Sequence, residues 1–268
     1  MIGKVKIRHL FLLAWLAALS TKAQVSSENY VQTTERISDT QVLSTTEYYD
    51  GLGRPFEMVE QKKTPDGANL IHLKEYDGLG RDWKTWLPVK DASDFLSISA
   101  ARSQGNNQYR DSHAFSLTEY DGSPLNRINT VEGVGAEWTS HPVKKDYLVN
   151  TSKYPLNCKY YRVSMQGQLQ DKGYYPEGRL YVTKTTDENG NESYEFKNIA
   201  GNVILKRTIC SIDEAADTYY IYDYRGNLAF VLPPNYQEEP SLDLYAYQYK
   251  YDGQGNCTWK KLPGCEPI

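Results

Sequence analysis

The residues of this sequence best suited to chemistry are acids set beside asparagine and glycine, because such clusters hold cations and paired carboxylates carry acid–base work. Asp187-Glu188-Asn189-Gly190-Asn191-Glu192 looks like half of a calcium loop. A complete EF-hand loop needs glycine at its sixth position and a bidentate glutamate at its twelfth. Those places hold Glu192 and Asn198, so the segment reads as a hairpin turn. Asp50, Asp77, Asp121 and Asp252 each stand in the tripeptide Tyr-Asp-Gly. Acids that recur once per unit serve the unit's turn rather than a single glycosidase pair. His72, His113 and His141 are scattered, His9 lies near the N-terminus, and no H-E-x-x-H occurs. No glycine-rich loop leads from a strand into a helix, and there is no G-x-S-x-G. These residue types assemble no catalytic, cofactor-binding or metal site, and the chain reads as a non-enzyme.

Two further residue classes carry possible chemistry. Cys158, Cys210, Cys257 and Cys265 match no zinc spacing. Four cysteines allow three pairings, Cys257 and Cys265 span a short loop, and free half-buried thiols account for them equally well. Trp83, Trp86, Trp138 and Trp259 stand in polar surroundings, where flat aromatic faces suit a glycan. Packing between sheet layers is the reading favoured for them.

The elements that must position these residues are read from an internal repeat. Tyr49-Asp50-Gly51-Leu52-Gly53-Arg54 returns as Tyr76-Asp77-Gly78-Leu79-Gly80-Arg81. Looser copies run from Tyr120-Asp121-Gly122 through Asn126-Arg127, and from Phe196 to Gly201-Asn202. Two more are Asp223-Tyr224-Arg225-Gly226-Asn227 and Tyr251-Asp252-Gly253-Gln254-Gly255-Asn256. Glu47, Glu75 and Glu119 precede three of these motifs and belong to the same pattern. Tyr245, Tyr247, Tyr249 and Tyr251 alternate with other residues, as do Tyr220, Tyr222 and Tyr224, which puts each set on one face of a strand. Aspartate at a strand end accepts from backbone N–H groups two residues on, and the glycine supplies the left-handed seat. Arg or Asn then opens the return strand. Each unit is therefore a β-hairpin, and because one hairpin is marginal in water, neighbours must join in a longer sheet.

The alternation predicts strands at Leu70 to Tyr76, Tyr219 to Asp223 and Tyr245 to Asp252, with turns centred on Gly53, Gly80, Gly226 and Gly255. Between the second and third motifs Asp91 to Phe115 is polar, with Gly105-Asn106-Asn107-Gln108 at its centre. Asp94 is placed to cap a short helix carrying Phe95, Leu96, Ile98 and Ala101; otherwise the stretch is a long loop.

Composition agrees with a β-rich chain. Tyrosine, at 23 residues against 6 Phe and 5 Trp, fits a pleated surface with its hydroxyl in water, and 19 Gly and 12 Pro supply turns. Lys4, Lys6 and Arg8 precede the uncharged apolar run Leu10 to Leu19, and Thr21 and Ala23 occupy a signal peptidase's small-residue positions. Residues 1–23 thus read as a cleavable signal peptide with the mature chain starting at Gln24, and no later segment is long enough to span a bilayer. Removing them takes four basic side chains and no acid, so 30 basic residues become 26 against 34 acids, a net of −8. That balance argues against nucleic acid as a partner.

The motifs resemble the YD repeats of the Rhs family, Y-D-x-x-G-R/N. The section from Asn29 to Asn150 resembles the uncharacterised domain that opens many secreted bacterial Rhs proteins, on Tyr49 to Pro55, Tyr76 to Arg81, Trp86-Leu87-Pro88, Ser123 to Arg127 and Trp138. Thr185 to Asn191, Val231-Leu232-Pro233-Pro234 and Lys261-Leu262-Pro263-Gly264 are similar to the repeats that follow it. The resemblance covers nearly all of the mature chain. It implies a mainly β fold of antiparallel hairpins in an open, curved or spiral sheet. It implies domains at 24–150 and 151–268, and a secreted, cell-surface or periplasmic location. The role implied is a non-catalytic structural module of a β-shell that encapsulates or presents a C-terminal effector; the alternative is a cell-surface module binding carbohydrate or protein. No D-P-x-G core signature, self-cleaving aspartate site or toxin domain is visible. The last repeat runs through Trp259 to Leu262 without a capping unit, so the chain reads as a truncated fragment. Its partners are then the rest of a longer polypeptide, or a second chain at the open sheet edge, with a surface glycan as a further ligand.

Overall fold

The computed structural model describes residues 28–38 and 42–266. The expected signal peptide and its cleavage site before Gln24 lie outside the described residues. Among the described residues no helix is long and apolar enough to cross a membrane. The chain divides into two compact units, 1–114 and 115–268.

In the first unit the strands are β1 (Asn29–Arg36), β2 (Val42–Tyr49), β3 (Pro55–Glu60), β4 (Asn69–Tyr76), β5 (Asp82–Trp86) and β6 (Val89–Asp91), followed by the helix α1 (Ile98–Tyr109). The order β1-β2-β3-β4-β5 is antiparallel throughout. β6 pairs with the first half of β4, so β5 and β6 share that edge in succession. β4 shows the alternation its sequence predicts: Asn69, Ile71, Leu73 and Glu75 are buried, and the residues between them are half-exposed.

The second unit contains β7 (Phe115–Tyr120), β8 (Ile128–Glu132), a 3-10 turn (Ala136–Ser140), β9 (Val143–Val149), β10 (Lys159–Val163), β11 (Leu169–Tyr174), β12 (Tyr181–Thr186), β13 (Glu192–Lys197), β14 (Val203–Ser211), β15 (Glu214–Tyr222), β16 (Leu228–Leu232), the short helices α2 (Pro234–Glu238) and α3 (Leu242–Tyr245), β17 (Tyr247–Tyr251) and β18 (Cys257–Lys261). Its sheet runs β7-β8-β9-β12-β13-β14-β15-β16-β17-β18, all antiparallel, while β10 and β11 form a separate hairpin. Among the described residues β1 pairs only with β2 and β18 only with β17, so the fold is mainly β, antiparallel and open.

Register builds the core of this second unit. Val182, Phe196, Leu205, Tyr219 and Leu232 are successive cross-strand partners over five strands. None is more than 3% exposed. Burying side chains of this size contributes about 1.5–3 kcal/mol each. The next row brings Arg207 opposite Asp217. Arg207 Nε and Nη2 donate to Asp217 at 2.7 and 2.6 Å, and Nη1 donates to the carbonyls of Pro155 and Asn157. Tyr161 of β10 meets the Tyr219 ring edge-on, so the hairpin covers this face. Buried Asn150 closes the neck of that excursion: its Oδ1 accepts from Arg179 and Leu180 N–H, and its Nδ2 donates to the Pro176 carbonyl.

Three expectations are corrected. The segment 91–115 holds a helix capped by Ser97, whose Oγ accepts from Ala100 N–H, rather than by Asp94; Asp94 sits outside it, its carbonyl accepting from the Tyr48 hydroxyl. The last tyrosine strand spans Tyr247–Tyr251, because Ser241 caps a helical turn that takes up Tyr245. Tyr224 likewise leaves the Tyr220/Tyr222 face for an exposed turn.

Candidate functional site: the coupled turns

The motif residues expected from the repeat stand at or beside the turns between paired strands. In the turn after β2, Asp50 Oδ1 accepts from the N–H groups of Leu52 and Arg54, both at 2.9 Å, and Oδ2 accepts from Arg54 Nε. Asp50 N–H donates to the Arg54 carbonyl and Gly53 N–H to the Asp50 carbonyl. Gly53 has φ +76°, the left-handed seat that a Cβ disfavours. Asp77, Gly80 and Arg81 repeat every contact, with Gly80 at φ +82°.

The same frame recurs where asparagine stands in place of arginine. Asn227 and Asn256 each donate from backbone N–H to Oδ1 and from Nδ2 to Oδ2 of Asp223 and Asp252. Arginine and asparagine are interchangeable here because both present a planar N–H within reach of the second carboxylate oxygen. At 198–202 Asn198 replaces the aspartate and accepts from Ala200 and Asn202 N–H, with Gly201 at φ +82°. Gly226 and Gly255 hold the same left-handed seat. Asp187 to Asn191 forms the identical turn, consistent with its hairpin reading. Asp121 to Arg127 is two residues longer, and its left-handed residue is Asn126, at φ +53°, rather than Gly122.

Sequence reasoning missed two members. Thr64 to Ala68 and Ser164 to Gln168 close with the same pair of backbone bonds around Gly67 and Gly167. The available signal was a hydroxyl residue three places before a glycine.

The turns are also tied to one another. Tyr76, which opens the second motif, donates its hydroxyl to the carbonyl of Pro55, just past the first motif, at 2.7 Å. Arg54 Cζ lies 4.5 Å from the Tyr76 ring centroid. Tyr251 makes the equivalent bond to the Leu228 carbonyl at 2.9 Å, while Arg225 Nη1 donates to the Asp252 carbonyl. Tyr147, outside any motif, bonds the Ile128 carbonyl and receives Arg127 over its ring at 4.8 Å. Gly80 is constrained twice, because a Cβ there would stand 2.4 Å from Arg54 Nη1. Tyr49 instead donates to Glu47, so the motif tyrosines do not all share one partner. Glu75 and Glu119 also differ, bonding Trp86 with Arg102 and Thr130 respectively.

This arrangement fixes the acids electrostatically. The Arg54 N–H and guanidinium hold the Asp50 carboxyl below its ordinary value. At Asp187 and Asp252 the asparagine side chain does so first, and at Asp121 Ser123 does. At Asp77 burial opposes the shift, and the Arg81 N–H and guanidinium outweigh it. These carboxylates point into their own turns and stay ionised as acceptors. Among the described residues no group of three or more His, Cys, Asp or Glu is placed to hold a metal ion. All four cysteines are free; Cys158 is buried, which pushes its thiol up to about 12, and the other three are exposed. Trp86 is buried, Trp138 is 47% exposed, and Trp83 and Trp259 each lie under a lysine ammonium, of Lys84 and Lys250.

Residues 20–149 match a domain family described as a domain of unknown function, DUF6443. No curated protein matches the chain in sequence. Among solved structures, the crystal structure of TcdB2-TccC3 is similar over 87% of this chain at TM-score 0.50 and 16% identity, a likeness of fold. The chain spans 11% of that much longer polypeptide. Residues 20–149 thus carry the match to DUF6443, and the chain shares its open antiparallel β fold with a segment of TcdB2-TccC3.

Proposed function

We propose that this chain is a non-catalytic wall module of a secreted Rhs-type protein, its residues 24–150 and 151–268 contributing successive hairpins to a β-shell that encloses or presents an effector encoded on the same polypeptide. The carrying observation is the bond from the tyrosine of one turn to the carbonyl behind the preceding turn, made by Tyr76 and Tyr251 and also by Tyr147. Such a link makes neighbouring hairpins one rigid rim, as a wall requires. The likeness to a segment of TcdB2-TccC3 supports a part within a larger assembly. The basic start and apolar run of residues 1–23 support export through a cleaved leader.

The test is limited proteolysis of the exported full-length gene product. A wall module leaves sequence downstream of residue 268 protected in the intact protein, and Gly80→Val, which breaks a coupled turn, exposes it. Equal cleavage of the downstream sequence in both proteins overturns the reading. An intact Met1 on the exported protein overturns the leader.

A further inference from the structure

The β10–β11 hairpin overhangs the turn rim of the second unit, and a cleft of about 540 Å³ opens beneath it. Lys159, Tyr160, Arg162, Lys172, Asn198 and Asn202 line it. A second cleft, of about 380 Å³, lies on the other side of the hairpin tip and adds Arg225, Lys250 and Trp259. Both share Val163, Met165 and Tyr224, so they meet at the tip. Met165 is 95% and Tyr224 78% exposed there.

The charge of this surface opposes that of the chain. Five cations line the two clefts, Lys159, Arg162, Lys172, Arg225 and Lys250, against two acids, Asp223 and Asp252. The whole chain carries a formal net charge of −4. Both acids are engaged inside their own turns, each accepting two backbone N–H bonds and one asparagine Nδ2. Asp171, the nearest hairpin acid in sequence, accepts from Gly173 N–H. Lys159, Arg162 and Lys172 form no ion pair among the described residues. Three uncompensated cations around one concave site raise the local potential for an anion.

The remaining lining selects among anions. Tyrosine and tryptophan present flat faces with polar tips, and asparagine side chains offer paired donors and acceptors. The exposed Tyr224 ring, the half-buried rings beside it, amides and spaced cations suit a chain of rings that carry hydroxyls and carboxylates. We propose that the paired clefts under the β10–β11 hairpin bind an acidic polysaccharide of the uronic-acid type, its carboxylates meeting Arg162 and Lys172 and its rings lying against the aromatic lining. This goes beyond the wall-module reading and does not depend on it.

The experiment is binding of the purified full chain to polygalacturonate by calorimetry at low salt, with neutral dextran and poly-glutamate as comparisons. Arg162→Glu/Lys172→Glu is the test variant; both side chains are exposed, and a matching melting profile shows that it folds. Binding to polygalacturonate that the double variant weakens at least tenfold, with none to dextran, is the expected result. Failure of the wild-type chain to bind, binding unchanged in the folded variant, or poly-glutamate bound as tightly as the polysaccharide would each overturn the proposal, the last in favour of an acidic peptide. Because the variant leaves every coupled turn intact, these outcomes are separate from the proteolysis result.

Discussion

The guanidinium of Arg54 is shared between two turns: it closes its own by bonding Asp50 and lies over the ring of Tyr76, which opens the next. Tyr76 answers with a hydrogen bond to the carbonyl of Pro55. Tyr76→Phe keeps the ring and removes that bond, so it is expected to lower stability by about 1 kcal/mol. Arg54→Ala removes the stacking and leaves Asp50 without its arginine, for about 1–2 kcal/mol. Because the two contacts meet at one junction, a double-mutant cycle by urea denaturation should give a coupling near 0.5 kcal/mol or more. Additivity within error would show the turns to be independent.

Gly53 and Gly80 occupy the same turn position but different surroundings. A Cβ at Gly53 meets nothing within 4 Å, whereas one at Gly80 meets Arg54 Nη1 at 2.4 Å. Gly53→Ala should therefore lose about 1 kcal/mol for the left-handed backbone alone. Gly80→Ala should lose more, and the excess should vanish in an Arg54→Ala background. Equal losses at both glycines in the native background would remove the steric part of this account.

Glu57 is 1% exposed; its Oε1 accepts from Leu96 N–H and its Oε2 has no hydrogen-bond partner among the described residues. Burial pushes its carboxyl up to about 7 from an ordinary 4.5. Raised in the folded state, the group binds its proton more tightly there than when unfolded. Its contribution is thus fully present below about pH 4.5 and lost as pH rises through about 7, by a few kcal/mol in order of magnitude. Glu57→Gln should flatten the stability profile between pH 5 and 8. An unchanged slope in that variant would clear Glu57 of the pH dependence.

Arg207 is 5% exposed and holds Asp217 together with the carbonyls of Pro155 and Asn157. Arg207→Met leaves Asp217 unpaired beneath the hairpin and frees the 155–157 loop. A loss of about 3–5 kcal/mol is expected, as for other broken buried pairs. Hydrogen exchange should report it first in the β10–β11 hairpin; loss confined to β17 and β18 would contradict the assignment.

Local chemistry made the hairpins legible. Period-two tyrosines ending in Asp and Gly can do little but turn, and Gly53, Gly80, Gly226 and Gly255 all have positive φ. The helix Ile98–Tyr109 was only half visible, since Gly105, Asn106 and Asn107 depress its propensity. Gly105 is there for tertiary reasons: a Cβ would press on the Trp86 ring at 3.3 Å. The Arg54–Tyr76 and Arg127–Tyr147 contacts were invisible because each joins a turn residue to a strand residue some twenty positions on. The cationic cleft stayed hidden for the same reason, its lysines and arginine coming from a hairpin and its amides from a distant turn.

The bond from Tyr76 to Pro55 has a counterpart 175 positions on, from Tyr251 to Leu228, and both reach one hairpin backwards. A lock that always faces its predecessor makes the natural quantum of change two strands and a turn. Duplicating or deleting a whole quantum brings the same donor to the same acceptor, whereas inserting a single strand reverses the rim and strands the tyrosine on the far side. Genes for such chains can lengthen or shorten by hairpins through unequal exchange without redesigning a junction, and frame-preserving losses of half a hairpin should be purged.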